Sequence, residues 1–199
     1  MVDGPQVTGD IATFPRRELG IWGLDRALGF RGENGLPLRS IVEIYGPEHS
    51  GKTTLAEHMA ARVRPDGKIL MADLEGTAEK DYLTTVLTNA GFTGELRIVD
   101  YGEGKKDKRK MRAHEEQMQE VVDGLLLPEV QAGIVDSLGA FYSIVDQSKN
   151  IGEINVGRNA FNISIMSDRA ACWLRTVEDP KLLVLINHVR PNIGGKGFT

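Results

Sequence analysis

Apolar residues recur along this chain with two alternating periods. Short runs of β-branched and aliphatic residues, the length of a strand, fall at 41–45, 68–72, 96–99, 131–135 and 182–186. Between them the spacing changes to three and four. Leu55, Met59 and Val63 predict a helix over 54–63, and a second is predicted over 80–89. Met118, Val121, Val122 and Leu125 share one face of a helix over 111–126, and the longest helix is predicted over 159–177. Ahead of these, residues 19–28 read as a short helix ended by Gly29, and 32–37 as a turn. Residues 1–13, rich in Gly, Asp and Thr, read as a flexible arm. Strands alternating with helices predict an α/β domain over 14–199, built on a mostly parallel, doubly wound sheet with helices on both faces. Ligands in such a sheet sit beyond the carboxyl ends of the strands.

The segment after the first long strand carries the most specific chemistry. Gly46, Pro47, Glu48, His49, Ser50, Gly51, Lys52, Thr53 and Thr54 fit the phosphate-binding pattern G-x-x-x-x-G-K-[ST] without a gap. Its glycines let successive backbone N–H groups wrap a phosphate, and the following helix directs its positive end at the same charge. Lys52 is placed to reach the outer phosphates of a nucleotide, and the Thr53 hydroxyl to sit on Mg²⁺.

Other strands end on polar residues too. Asp73 and Glu75 follow the second, Asp136 and Ser137 the fourth, and His188 the fifth. Asp136, closing an apolar run, is placed to steady Mg²⁺; its alternative is an ordinary helix or turn cap. Glu75 is the first choice for orienting or deprotonating an attacking water, with Asp73 as competitor or capping residue.

Composition sets bounds. The 199 residues are 41% hydrophobic and 26% charged, enough for one globular domain. No apolar run reaches membrane-spanning length, and no secretory signal opens the chain. The single Cys172 excludes an internal disulfide, fits a reducing cytoplasm, and reads as a small buried packing residue. Net charge is −4, yet residues 105–112 hold six positive side chains and one negative, a local +5 that leaves −9 elsewhere. A general field for nucleic acid is thereby excluded, and any DNA contact must be local. The basic run itself reads as a solvated face or a DNA contact.

Together the motifs resemble the RecA family. Ile41-Val42-Glu43-Ile44-Tyr45-Gly46-Pro47-Glu48 and Ser50-Gly51-Lys52-Thr53-Thr54-Leu55 are similar to its phosphate-loop segment, with His49 as the departure. Residues 23–29 and Gly35-Leu36-Pro37 look like its lead-in. Asp73-Leu74-Glu75 matches the segment that holds the family's catalytic Glu, and Val135-Asp136-Ser137 its Mg²⁺ motif. Tyr82 falls where the family stacks a Tyr on adenine, and Glu79 where it has an acid near the base. Ile186-Asn187-His188-Val189-Arg190 resembles the strand end before the second DNA-binding loop. Bacterial members have Gln at the place of His188. His there, with Asp136-Ser137-Leu138-Gly139, is similar to phage recombinases of the UvsX type.

The resemblance implies a RecA-like ATPase core using ATP and Mg²⁺. It also implies single-stranded DNA binding, self-association into a filament or ring, and homologous strand exchange in the cytoplasm. DNA contacts are implied at Lys149, Asn155 and Arg158 in a first loop over 146–159, and at Arg190, Asn192 and Lys196 in a second. Sequence alone reads both as plain flexible loops. His188 would link γ-phosphate to the second loop, or else bond nearby backbone. The ending at Thr199 falls inside that loop, so the core is expected to be incomplete there. Rival classes are a helicase-type or clock-type ATPase on the same core, and a non-catalytic paralogue that assists another recombinase.

Overall fold

The computed structural model describes residues 14–30, 32–99, 112–146 and 156–188. The expected arm over 1–13 lies outside them, as does the basic run apart from Arg112. Two short strands, β1 (Arg16–Arg17) and β2 (Leu36–Pro37), flank the helix α1 (Trp22–Leu28) and pair antiparallel. Then follow β3 (Ser40–Gly46), α2 (Lys52–Val63), β4 (Lys68–Asp73), α3 (Lys80–Asn89) and β5 (Glu95–Ile98). The chain continues through α4 (His114–Gly124), β6 (Val130–Asp136), α5 (Val156–Thr176) and β7 (Leu182–His188).

Strands β3 to β7 form one sheet in the order β3-β7-β6-β4-β5, with every pair parallel. Alternation along each strand divides the core in two. Ile69 and Met71 of β4, Ala132 and Ile134 of β6, and Leu182, Val184 and Ile186 of β7 pack with Ala56, Met59, Ala60 and Val63 of α2 and Leu83 and Leu87 of α3. Their odd-numbered or even-numbered neighbours, Leu70, Ala72, Val135, Leu183 and Leu185, face Met118, Val121 and Val122 of α4 and Met166, Ala170 and Leu174 of α5. Full burial of each large aliphatic side chain contributes about 1.5–3 kcal/mol, so the two apolar layers dominate the stability of the fold. Helices on both faces of a parallel sheet are the predicted architecture.

Differences from the sequence expectation have local causes. Helix α1 starts at Trp22 rather than residue 19 because Asp25 accepts the backbone N–H groups of Leu19 (2.6 Å) and Gly20 (2.9 Å), holding them outside the helix. The turn after α1 is closed by Arg16, whose Nη1 donates to the carbonyls of Leu28 (2.5 Å) and Gly35 (2.8 Å). Gly35 has φ 98°, and a Cβ there would lie 2.5 Å from the Arg17 carbonyl oxygen. The expected burial of Cys172 is corrected: the thiol is exposed, because α5 turns Met166, Ala170 and Leu174 inward and Cys172 falls off that stripe.

Candidate functional site

Gly46, Asp73, Asp136 and His188 are the last residues of β3, β4, β6 and β7. The register sets Gly46 opposite His188 and Asp73 opposite Asp136. By strand periodicity each stands on the α2 side of the sheet, two positions beyond Ile44, Met71, Ile134 and Ile186. Four strands thus deliver polar residues to one edge of one face.

The loop between β3 and α2 turns through left-handed backbone at His49 (φ 59°) and Gly51 (φ 80°). Pro47 supplies its inner acceptor: its carbonyl takes hydrogen bonds from Ser50 Oγ at 2.8 Å and Lys52 Nζ at 2.7 Å. Gly51 at the N-cap has no side chain to satisfy the first N–H groups of α2, and the first turn holds no acid. The positive end of the helix therefore stays open towards the loop.

An open cavity of about 1050 Å³ extends from this loop to α3, Asp136 and His188. Every loop residue from Pro47 to Thr54 lines it, together with Glu75, Glu79 and Tyr82. Gly46 sits behind Ser50 at the loop's origin. Tyr82 is half exposed, with its hydroxyl bonded to that of Thr54. Glu79 occupies the N-cap position of α3 without a capping bond from its side chain.

Around the far wall the hydroxyl of Thr53 donates to Asp136 Oδ2 at 2.6 Å. Burial pushes the Asp136 carboxyl above its ordinary range; the Thr53 hydrogen bond opposes this, and the charges of Glu75 and Asp73 add to it. Asp73 accepts from the N–H groups of Gly76 (2.9 Å), Thr77 (3.3 Å) and Ala78 (2.8 Å), capping the turn that carries Glu75. Glu75 Oε1 accepts from the Ser137 hydroxyl and lies 2.8 Å from His188 Nε2. The His188 ring thus meets a carboxylate rather than nearby backbone, while lining the same cavity. Its Nδ1 is buried without a partner.

Two participants escaped the sequence reading. Ser137, a strand-end polar residue with no role predicted for its own side chain, holds Glu75. Glu57 is fully buried in α2, and neither carboxylate oxygen has a hydrogen-bond partner. Desolvation and the charge of Asp136 raise its pKa to about 7. The available signal was an acid among Ala56, Met59 and Ala60, four residues after Thr53.

The donors at Thr53 and Asp136 are hard oxygens of the type Mg²⁺ takes. No group of three or more His, Cys, Asp or Glu able to cage a metal occurs among the described residues.

The expected DNA-contact residues Lys149, Asn155, Arg190, Asn192 and Lys196 lie outside the described residues. Arg158 is placed in α5, with Nη1 3.8 Å from Oδ1 of the buried Asp146. The expected first loop is shorter than 146–159, since Asp146 closes a 3₁₀ turn and α5 begins at Val156. Arg112 pairs with Glu120 at 2.5 Å, beside Arg97 at 2.8 Å. No described helix is long and apolar enough to cross a membrane.

Comparison with known proteins agrees with this arrangement. A family model described as the RecA N-terminal domain matches residues 1–197. Protein RecA of Paramagnetospirillum magnetotacticum is 32% identical over 177 residues, covering 87% of this chain and 45% of that protein. Protein RecA of Oleidesulfovibrio alaskensis is 32% identical over 193 residues, covering 95% and 48%. The mitochondrial DNA repair protein recA homolog of Dictyostelium discoideum is 32% identical over 178 residues, covering 88% and 35%. The chain spans half or less of the length of these relatives. Its phosphate loop, its strand-end side chains and the match along nearly its whole length agree, and the chain belongs to the RecA family through the N-terminal domain.

Proposed function

We propose that this chain is the ATP-binding and ATP-hydrolysing core of a recombinase that assembles on single-stranded DNA and promotes homologous strand exchange. The observation that carries the reading is the position of Glu75, held by Ser137 and His188 at the cavity that Lys52 and Thr53 also line.

In this reading the Lys52 ammonium exchanges the Pro47 carbonyl for the outer phosphates of ATP, and loop N–H groups hold the remainder. Thr53 and Asp136 would hold Mg²⁺, which would supply neutralisation of charge on the outer phosphates. Ser137 and His188 both engage Oε1 of Glu75, which leaves Oε2 to align a water and accept its proton. The Tyr82 ring packs on the base, with Glu79 beside it. His188 ends β7, immediately before residue 189, so the bond to Glu75 links the nucleotide site to the segment carrying Arg190, Asn192 and Lys196. Those residues, with Lys149 and Asn155, are the proposed contacts to DNA phosphates, and self-association into a filament or ring belongs to the same reading.

The test is nucleotide affinity and ATP turnover with and without single-stranded DNA, alongside Lys52→Ala. Turnover stimulated by DNA, and loss of nucleotide binding in the variant, are expected. Unchanged ATP affinity in Lys52→Ala would remove the basis of the reading. Strand exchange between homologous DNAs separates a recombinase from a motor ATPase or a non-catalytic paralogue.

A further inference from the structure

Among the described residues, Glu57 is the one buried acid of the cavity wall that the proposed mechanism does not use. It stands four residues after Thr53 in α2, which places the two side chains one above the other on the same face. That face is turned towards the end of β6, where Thr53 bonds Asp136 and where the charge of Asp136 acts on Glu57. Glu57 lines the same cavity as Thr53, Asp136 and Met71, yet it is 0% exposed and both oxygens lack a partner. The Lys52 ammonium and the His188 ring on the same cavity wall are already engaged: Lys52 bonds Pro47 and His188 bonds Glu75.

A buried carboxylate without hydrogen bonds is unfavourable, and natural cores exclude it unless a cation or donors are supplied. Met71 and the alanines of α2 supply neither. Water bound to a divalent cation supplies both, since Mg²⁺ keeps several waters and these donate strongly to acceptors in its outer shell.

We propose that Glu57 is an outer-shell ligand of the metal held by Thr53 and Asp136, accepting hydrogen bonds from metal-bound water and making nucleotide binding strictly dependent on the cation. The inference rests on the ATP·Mg²⁺ reading given above. Its physical content is a coupling. Without the cation, ionisation of Glu57 and Asp136 places negative charge behind the phosphates and opposes the nucleotide. With it, both carboxylates are satisfied and ATP binds against a neutralised wall.

The experiment measures affinity for a fluorescent ATP analogue by equilibrium titration, in EDTA and across a Mg²⁺ series, for the parent, Glu57→Gln and Glu57→Leu. Gln keeps the shape and removes the charge; Leu suits the apolar surroundings and guards against a folding defect in either variant. In both, half-saturation with Mg²⁺ should require about 10-fold more cation, the scale for losing an outer-shell partner. Affinity in EDTA should be equal to or higher than that of the parent. A parallel melting series should show a smaller Mg²⁺-dependent rise in Tm for both variants when nucleotide is present. Identical Mg²⁺ midpoints in parent and variants would overturn the inference while leaving the ATP·Mg²⁺ reading intact. A parent that binds nucleotide equally well in EDTA and in Mg²⁺ would overturn both.

Discussion

His188 Nε2 and Glu75 Oε1 are 2.8 Å apart, so the last residue of β7 is tied to the carboxylate two residues beyond the end of β4, across the intervening β6. His188→Ala removes this tie without touching the phosphate loop. ATP affinity should remain nearly unchanged, while the preference for single-stranded DNA in ATP over ADP should shrink. His188→Gln, which keeps a donor, should retain more of that preference. DNA affinity with each nucleotide at one fixed salt concentration measures both, since phosphate contacts depend steeply on salt. A full ATP-over-ADP preference in His188→Ala would show that the tie carries no signal.

Glu75 and Asp73 lie two residues apart and have different surroundings, so their amide variants should fail differently. Glu75→Gln should still bind ATP but lose turnover by about 10²-fold or more, the scale of general-base catalysis. Asp73→Asn replaces an acceptor of three backbone N–H groups. It should lower stability by about 1–3 kcal/mol. Denaturant unfolding beside single-turnover hydrolysis distinguishes them; a stable, inactive Asp73→Asn would reverse the assignment.

Glu57 also makes stability depend on pH. Its pKa is raised from the ordinary 4.5 to about 7 by burial and then by Asp136, so between those values the folded chain holds a proton that the unfolded chain releases. Stability of the metal-free protein is therefore favoured below pH 4.5 and declines as pH rises towards 7. Asp136 faces Glu57 from β6, and its own carboxyl, also raised, adds in the same direction. Relative to Glu57→Gln, the parent should lose up to about 1.4 kcal/mol per pH unit at the steepest point. Parallel urea titrations of the two proteins across this range provide the comparison.

Gly35→Ala should cost on the order of 1–3 kcal/mol, because Ala takes left-handed backbone poorly and its methyl would press on the Arg17 carbonyl. Chemical denaturation reads the loss, and an unaffected midpoint would mean that the β1–β2 pair shifts freely.

Much of this was legible in the sequence, for identifiable reasons. The unbroken apolar run from Leu182 to Ile186 and the i, i+4 spacing of Leu55, Met59 and Val63 are one-dimensional signals, and the phosphate loop is contiguous. Strand β1 has two residues and is held by β2 and by Arg16 reaching Leu28 and Gly35. Nothing local marks it. Asp25 reads as an ordinary residue inside a helix starting at 19 until its bonds to Leu19 and Gly20, which hold them outside that helix, are seen. Glu57 looks like a surface acid, because its burial is imposed by β4 and β6, remote in the chain. Cys172 could have been read correctly by counting two residues from Ala170 along α5.

The pairing of Gly46 with His188 and of Asp73 with Asp136 makes the parallel ladder a ruler for the chemistry. A one-residue deletion inside β6 would swing Asp136 to the α4–α5 side and carry Ile134 and Val135 to the wrong layers with it. Misalignment of the site and collapse of the core are then a single event. Length changes are tolerable only in the connections, and a chain that folds at all has already set its reactive groups in line.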